Sequence, residues 1–166
     1  AIVNRANPIN DLTLEQLHDV FTGNITDWSA LGKYAGPINV ISHDPQLGTY
    51  EPWKRQVAGA GHITLKAKVV KSFNGLLQAI AADPFSIGYT GTTFLDKDKM
   101  KPLAIDGVLP TYADIKARRY PIRNELQLLI RPNISKEAKD FIAYCLDKNA
   151  GQAMVKEMGL VPVAGE

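Results

Sequence analysis

The stretch Pro37-Ile38-Asn39-Val40-Ile41-Ser42-His43-Asp44-Pro45-Gln46-Leu47-Gly48-Thr49-Tyr50-Glu51-Pro52-Trp53 decides the fold, because three kinds of backbone follow one another in it without a linker. Residues 38–41 read as a strand, entered from the Gly36-Pro37 break. Residues 43–50 are polar and turn-forming, and 50–57 suit a helix. Pro52 is tolerated there because it falls in the first turn, where the N–H groups have no intrahelical acceptor. Strand, turn, helix is the word order of layered α/β domains.

Working outward, the same alternation continues. Thr13-Leu14-Glu15-Gln16 is a capping box, Leu14, Leu17, Val20 and Phe21 form one stripe at helical spacing, and Gly23 supplies a left-handed stop. Downstream, the pattern predicts a strand over 66–71, a helix over 75–82 with Leu76, Leu77 and Ile80 inward, and a strand over 86–90. A Lys- and Asp-rich loop over 96–101 and a short helix opened by Thr111 come next. The run 120–130 reads as a long extended segment with Leu126, Leu128, Leu129 and Ile130 in its second half. Ser135 then caps a helix whose Ala138, Phe141, Ile142, Cys145 and Leu146 have the spacing of a buried face, which makes Cys145 a core residue. A last helix over 151–158 ends at Gly159. The whole is an α/β chain around a mixed or largely parallel sheet, with no internal repeat.

Composition narrows the function. The 166 residues are 45% hydrophobic and 22% charged, typical of a folded globular chain. Nineteen Lys and Arg against seventeen Asp and Glu leave a net charge of +2, too little to argue for nucleic acid, and the densest basic run, Lys66, Lys68 and Lys71, alternates with Ala67, Val69 and Val70 like the wet face of a strand. No apolar run is long enough to span a membrane. A single cysteine allows no intrachain disulfide. The apolar start Ala1-Ile2-Val3 reads as a chain that begins inside a strand, hence as a fragment.

The catalytic inventory is thin. His18, His43 and His62 show no zinc spacing, and GxSxG, GxGxxG and GxxxxGK[ST] are all missing from the sequence, so no metal, cofactor or enzymatic activity is expected. A hydrolase using His43 with Asp44 or Thr49 has only proximity in its favour. What remains is the turn itself: Gly48, Thr49 and Tyr50 stand at a helix head, where unpaired N–H groups and the positive end of the dipole favour an anion.

Read in order, NPINDLTLEQLHDVFTGNITDW (7–28), PINVISHDPQLGTYEPW (37–53), AIAADPFSIGYTG (79–91), RRYPIRNELQLLI (118–130) and AKDFIAYCLDKNAGQAMVKEMGLVPV (138–163) resemble the periplasmic phosphate-binding proteins of bacterial phosphate ABC transporters. The likeness covers nearly the whole chain. It implies one lobe of a type II periplasmic-binding-protein clamp, with 1–118 forming the second lobe and its first crossover strand. Residues 119–166 then supply the second crossover strand and the C-terminal helices that normally complete the first lobe, incomplete here. Phe141 and Ile142 must then find another partner, a missing lobe or a second copy, or stand exposed.

The resemblance also implies a periplasmic or cell-envelope location, inorganic phosphate or a similar oxyanion as ligand, and an ABC permease as partner. It assigns ligand binding to His43, Leu47, Gly48, Thr49 and Tyr50. The family pattern has arginine where His43 stands and serine where Leu47 stands. A histidine with an ordinary pKa near ~6.5 is mostly neutral at pH 7, and leucine offers no donor. Each charge-assisted hydrogen bond lost costs about 1.5–3 kcal/mol. Two readings follow: a solute-binding lobe for a small oxyanion, or a fold-retaining scaffold or envelope interaction module that has lost its anion.

Overall fold

A computed structural model describes residues 1–163, and the chain divides into two units, Ala1–Ile122 and Arg123–Glu166. The resemblance implies a division between lobes at 118/119. Tyr120 and Ile122 pack on the core of the first unit and carry it four residues further.

The first unit contains β1 (Ile2–Asn4), β2 (Asp11–Leu12), α1 (Leu14–Thr22), β3 (Asn39–His43), α2 (Tyr50–Trp53), β4 (Lys68–Val70), α3 (Phe73–Ala82), β5 (Ser86–Gly88), β6 (Met100–Pro102), β7 (Ala104–Ile105) and α4 (Tyr112–Lys116). Five strands form one sheet in the order β4-β3-β5-β1-β6. β3 runs parallel to β4 and β5, whereas β1 pairs antiparallel with β5 and β6, so the sheet is mixed. β2 and β7 form a separate parallel pair.

Local chemistry accounts for the elements that hold the site. In α1 the Thr13 hydroxyl accepts the Gln16 N–H while Gln16 reaches back to the Thr13 N–H, and Gly23 closes the helix at φ 87°, a left-handed conformation that costs glycine little. The stripe of α1 buries Leu17, Val20 and Phe21 completely. Phe21 meets Trp53 edge-on at 5.0 Å, and Trp53 stacks on Tyr89 at 4.4 Å. On α3, Leu76 and Ile80 pack with Ile2, Ile41 and Met100. The Asn4 amide donates to the carbonyls of Ile80 and Ala81, satisfying the open end of α3 and tying it to β1.

Several boundaries differ from the sequence expectation. β3 continues to His43 instead of stopping at Ile41, because β4 pairs with it as far as that residue. β4 covers 68–70 and β5 covers 86–88, shorter than 66–71 and 86–90, since a strand ends where its partner does. The loop predicted over 96–101 turns into β6 at Met100, which is buried. The two-residue strands β2 and β7 are too short to leave a periodic signal. Lys66, Lys68 and Lys71 are exposed, but so is Val69 between them, so the alternation does not separate a wet face from a buried one.

The second unit contains α5 (Lys136–Leu146) and α6 (Gly151–Glu157). Ser135 caps α5 by accepting the Ala138 N–H. At Gly151 a Cβ would lie 2.6 Å from the Cys145 carbonyl oxygen, so only glycine permits this approach. The Gln152 amide donates to that same carbonyl at 2.7 Å. Two expectations are corrected here. The face of α5 is not buried: Phe141 is 62% exposed and Cys145 only half-buried. The run 120–130 joins no ladder among the described residues, and Leu126 and Leu129 stand exposed. A stripe or an extended run becomes core or strand only against a partner, and the exposure of Phe141 is one of the two outcomes that the resemblance implies for it.

Candidate functional site

β3 delivers His43 to the carboxyl edge of the sheet, and the turn after it is organised residue by residue. The Asp44 side chain accepts the Gln46 N–H, the Asp44 carbonyl accepts the Leu47 N–H, and the Leu47 carbonyl accepts the Tyr50 N–H. The amides of Gly48 and Thr49 meet no acceptor among the described residues. Gly48 is exposed, and a Cβ built on it would touch nothing within 4 Å, so the backbone there can be approached closely; Thr49 is half-buried. The helix predicted over 50–57 is one α turn followed by a π turn, Lys54–Ala58, closed by the Gly59 N–H on the Lys54 carbonyl. His18 Nδ1 lies 2.8 Å from the Val57 carbonyl oxygen and engages the π turn from α1.

Thr49 does not cap its own helix. Its Oγ1 turns back and lies 2.7 Å from His43 Nδ1. The imidazole is completely buried, with Phe73 edge-on at 4.9 Å and Tyr89 at 5.1 Å. Burial lowers the proton affinity of His43 below that of an ordinary histidine, so the ring is neutral at pH 7. The His43 backbone N–H donates to the Tyr89 hydroxyl at 3.2 Å, and the Ser42 hydroxyl sits at the same distance from it. Burial also raises the Tyr89 pKa, which keeps the phenol protonated.

Among the described residues, three buried side-chain atoms have no hydrogen-bond partner: His43 Nε2, Trp53 Nε1 and Thr90 Oγ1. Two of them belong to rings that contact Tyr89, those of His43 and Trp53.

Of the residues singled out from the sequence, the structure brings His43 and Thr49 into direct contact and leaves the Gly48 and Thr49 amides open. The Tyr50 amide, expected to be available to an anion, is already taken by the Leu47 carbonyl. Leu47 is half-buried. Sequence reasoning missed Phe73, Tyr89, Trp53 and Thr90. The available signal was Tyr89, which closes the strand beside β3 and so lies next to whatever β3 presents at its carboxyl end. Two amides and a hydroxyl can hold an electron-rich oxygen. Among the described residues no three His, Cys, Asp or Glu side chains are gathered that could hold a metal ion, and no helix is long and apolar enough to cross a membrane.

A mixed sheet flanked by helices, with open amides after the carboxyl end of a parallel strand, is the architecture of one lobe of a type II periplasmic-binding-protein fold. The chain belongs to the PBP superfamily, whose domain model matches residues 1–149. It is 27% identical over 163 residues to the phosphate-binding protein PstS of Bacillus subtilis, covering 98% of this chain and 54% of that one. It is 32% identical over 154 residues to the phosphate-binding protein PstS 2 of Streptococcus agalactiae, covering 87% and 51%. Among solved structures, an ABC-type phosphate transport receptor from Vibrio cholerae superposes with a TM-score of 0.86 at 25% identity, covering 96% of this chain and 67% of that one. The chain spans about half the length of the curated relatives it matches.

Proposed function

We propose that this chain supplies one wall of a solute-binding site for a small oxyanion of the phosphate class, within an envelope protein that passes its ligand to an ABC permease. The observation that carries the reading is the open pair of amides at Gly48 and Thr49, in a chain whose relatives are named as phosphate-binding proteins. Those amides and the Thr49 hydroxyl supply the donors. Leu47 and Tyr50 flank the turn, and His43 lies behind Thr49. Nothing in this set performs chemistry on the bound anion; it binds and releases.

The occupied Tyr50 amide and the closed-in, neutral His43 favour a second reading, a lobe kept as a scaffold or interaction module after its anion was lost. Calorimetric titration with phosphate, sulfate and a carboxylate panel separates the two, run at pH values about one unit below and above ~6.5. The first reading expects heat from phosphate at both values, since its donors do not depend on a charged imidazole. Silence in every titration would count for the second. The double substitution His43→Arg with Leu47→Ser should then create phosphate affinity that the parent lacks.

A further inference from the structure

The hydrogen bond between His43 Nδ1 and Thr49 Oγ1 contains one proton whose position decides what Thr49 offers the site. Two arrangements of the neutral ring are possible. With the hydrogen on Nε2, the Thr49 hydroxyl must donate to Nδ1, its hydrogen is consumed, and a ring N–H is left with no acceptor inside an aromatic box. With the hydrogen on Nδ1, the ring donates to Oγ1, only a lone pair is orphaned at Nε2, and the hydroxyl hydrogen is free. Orphaned buried N–H groups are the rarer of the two, and an N–H against the face of Phe73 or Tyr89 would replace the missing bond only weakly.

We infer that His43 is a positioning residue: it carries its proton on Nδ1, donates to Thr49 Oγ1, and so aims the Thr49 hydroxyl hydrogen at whatever sits on the Gly48 and Thr49 amides. The role rests on the oxyanion reading above and sharpens it. Because the imidazole is fully buried, it makes no contact with ligand itself; a permanent charge at the site is replaced by a third neutral donor, preset by a ring that packs edge-on against Phe73 and Tyr89. Such a site gains its affinity from three short hydrogen bonds rather than from long-range attraction, so phosphate binding should depend little on ionic strength.

The test has two parts on the full chain. Long-range 1H–15N correlation spectra of protein labelled with 15N-histidine, taken above pH ~6.5, report the tautomer of His43 directly. The Nδ1–H pattern is expected, and the Nε2–H pattern overturns the inference. Phosphate titration of parent, His43→Phe, His43→Asn, Thr49→Val and His43→Phe with Thr49→Val then measures the coupling. Each of His43→Phe and Thr49→Val should weaken phosphate binding about tenfold, the worth of one hydrogen bond. The double variant should be no weaker than Thr49→Val alone, and His43→Asn, whose amide can donate to Oγ1, should recover most of the loss. Losses that add in the double variant overturn the inference while leaving the oxyanion reading intact. A parent silent to phosphate that still shows the Nδ1–H pattern refutes the oxyanion reading and supports the placement of the proton.

Discussion

Helices α1 and α5 carry nearly the same message in sequence and meet opposite fates. Each begins at a hydroxyl cap, Thr13 or Ser135, and each shows apolar residues at helical spacing. In the first unit that stripe is sealed, with Phe21 at 0% exposure; in the second, Phe141, the phenylalanine of the α5 stripe, is 62% exposed, and no residue of α5 is buried. The difference teaches that amphipathic periodicity states which face requires cover, while the cover itself is a property of the rest of the fold. In the first unit the cover comes from the nearby Trp28 and from Trp53 and Tyr89, more than thirty residues along the chain.

The contrast is broken most forcefully by removing the two phenyl rings. Phe21→Ala should cost the first unit about 3–5 kcal/mol, the usual penalty for emptying a packed aromatic site. Phe141→Ala should change its stability by less than about 0.5 kcal/mol, as at other exposed positions. The measurement is selective because both tryptophans, Trp28 and Trp53, lie in the first unit, so urea unfolding followed by tryptophan fluorescence reports that unit alone. Comparable losses from the two substitutions would mean that α5 is covered in solution.

A smaller effect sharpens the same comparison at the caps. Thr13→Ala removes one half of a reciprocal capping box on a helix whose packing depends on it, and should lower the urea midpoint of the first unit by an amount equivalent to about 1 kcal/mol. Ser135→Ala removes the 3.3 Å cap bond to the Ala138 N–H and the bond to the Glu137 carboxylate, on a helix outside that unit, and should leave the tryptophan transition where it was. A shift of similar size from Ser135→Ala would join the two units into one cooperative transition.

How far the sequence carried the reading depends on whether a feature was local. The capping box at Thr13, the stop at Gly23, the inward Leu76 and Ile80, and the strand, turn, helix order around His43 are local, and each is found where the residues predict it. What failed to show was relational. β6, β2 and β7 exist only through pairing with distant partners, and α5 lacks the burial that its stripe anticipates. The site divides in the same way. Gly48 and Thr49 were legible as turn chemistry. The fate of the His43 side chain was not, because it is set by Phe73 and Tyr89, thirty and forty-six residues away, and by a hydroxyl that turns back instead of capping. The Tyr50 amide was misjudged because an intervening turn bond from the Leu47 carbonyl leaves no mark in composition.

The smallest effect concerns that same buried ring and asks whether the aromatic box costs the first unit stability in acid. In the folded chain His43 binds a proton less readily than in the unfolded chain, where its affinity is the ordinary one near ~6.5, because desolvation penalises the imidazolium. As pH falls through ~6.5, the unfolded chain takes up this proton first. Folding stability therefore rises with pH across the window, is complete above it, and is lost progressively toward the folded-state value. His43→Phe deletes the group and should flatten the pH dependence of the urea midpoint between pH ~6.5 and the onset of carboxylate titration, while Thr49→Val, which leaves the imidazole in its box, should keep it. Identical slopes for parent and His43→Phe would show that water or a counter-charge reaches Nε2 in solution, and that the ring is less isolated than its contacts with Phe73 and Tyr89 imply.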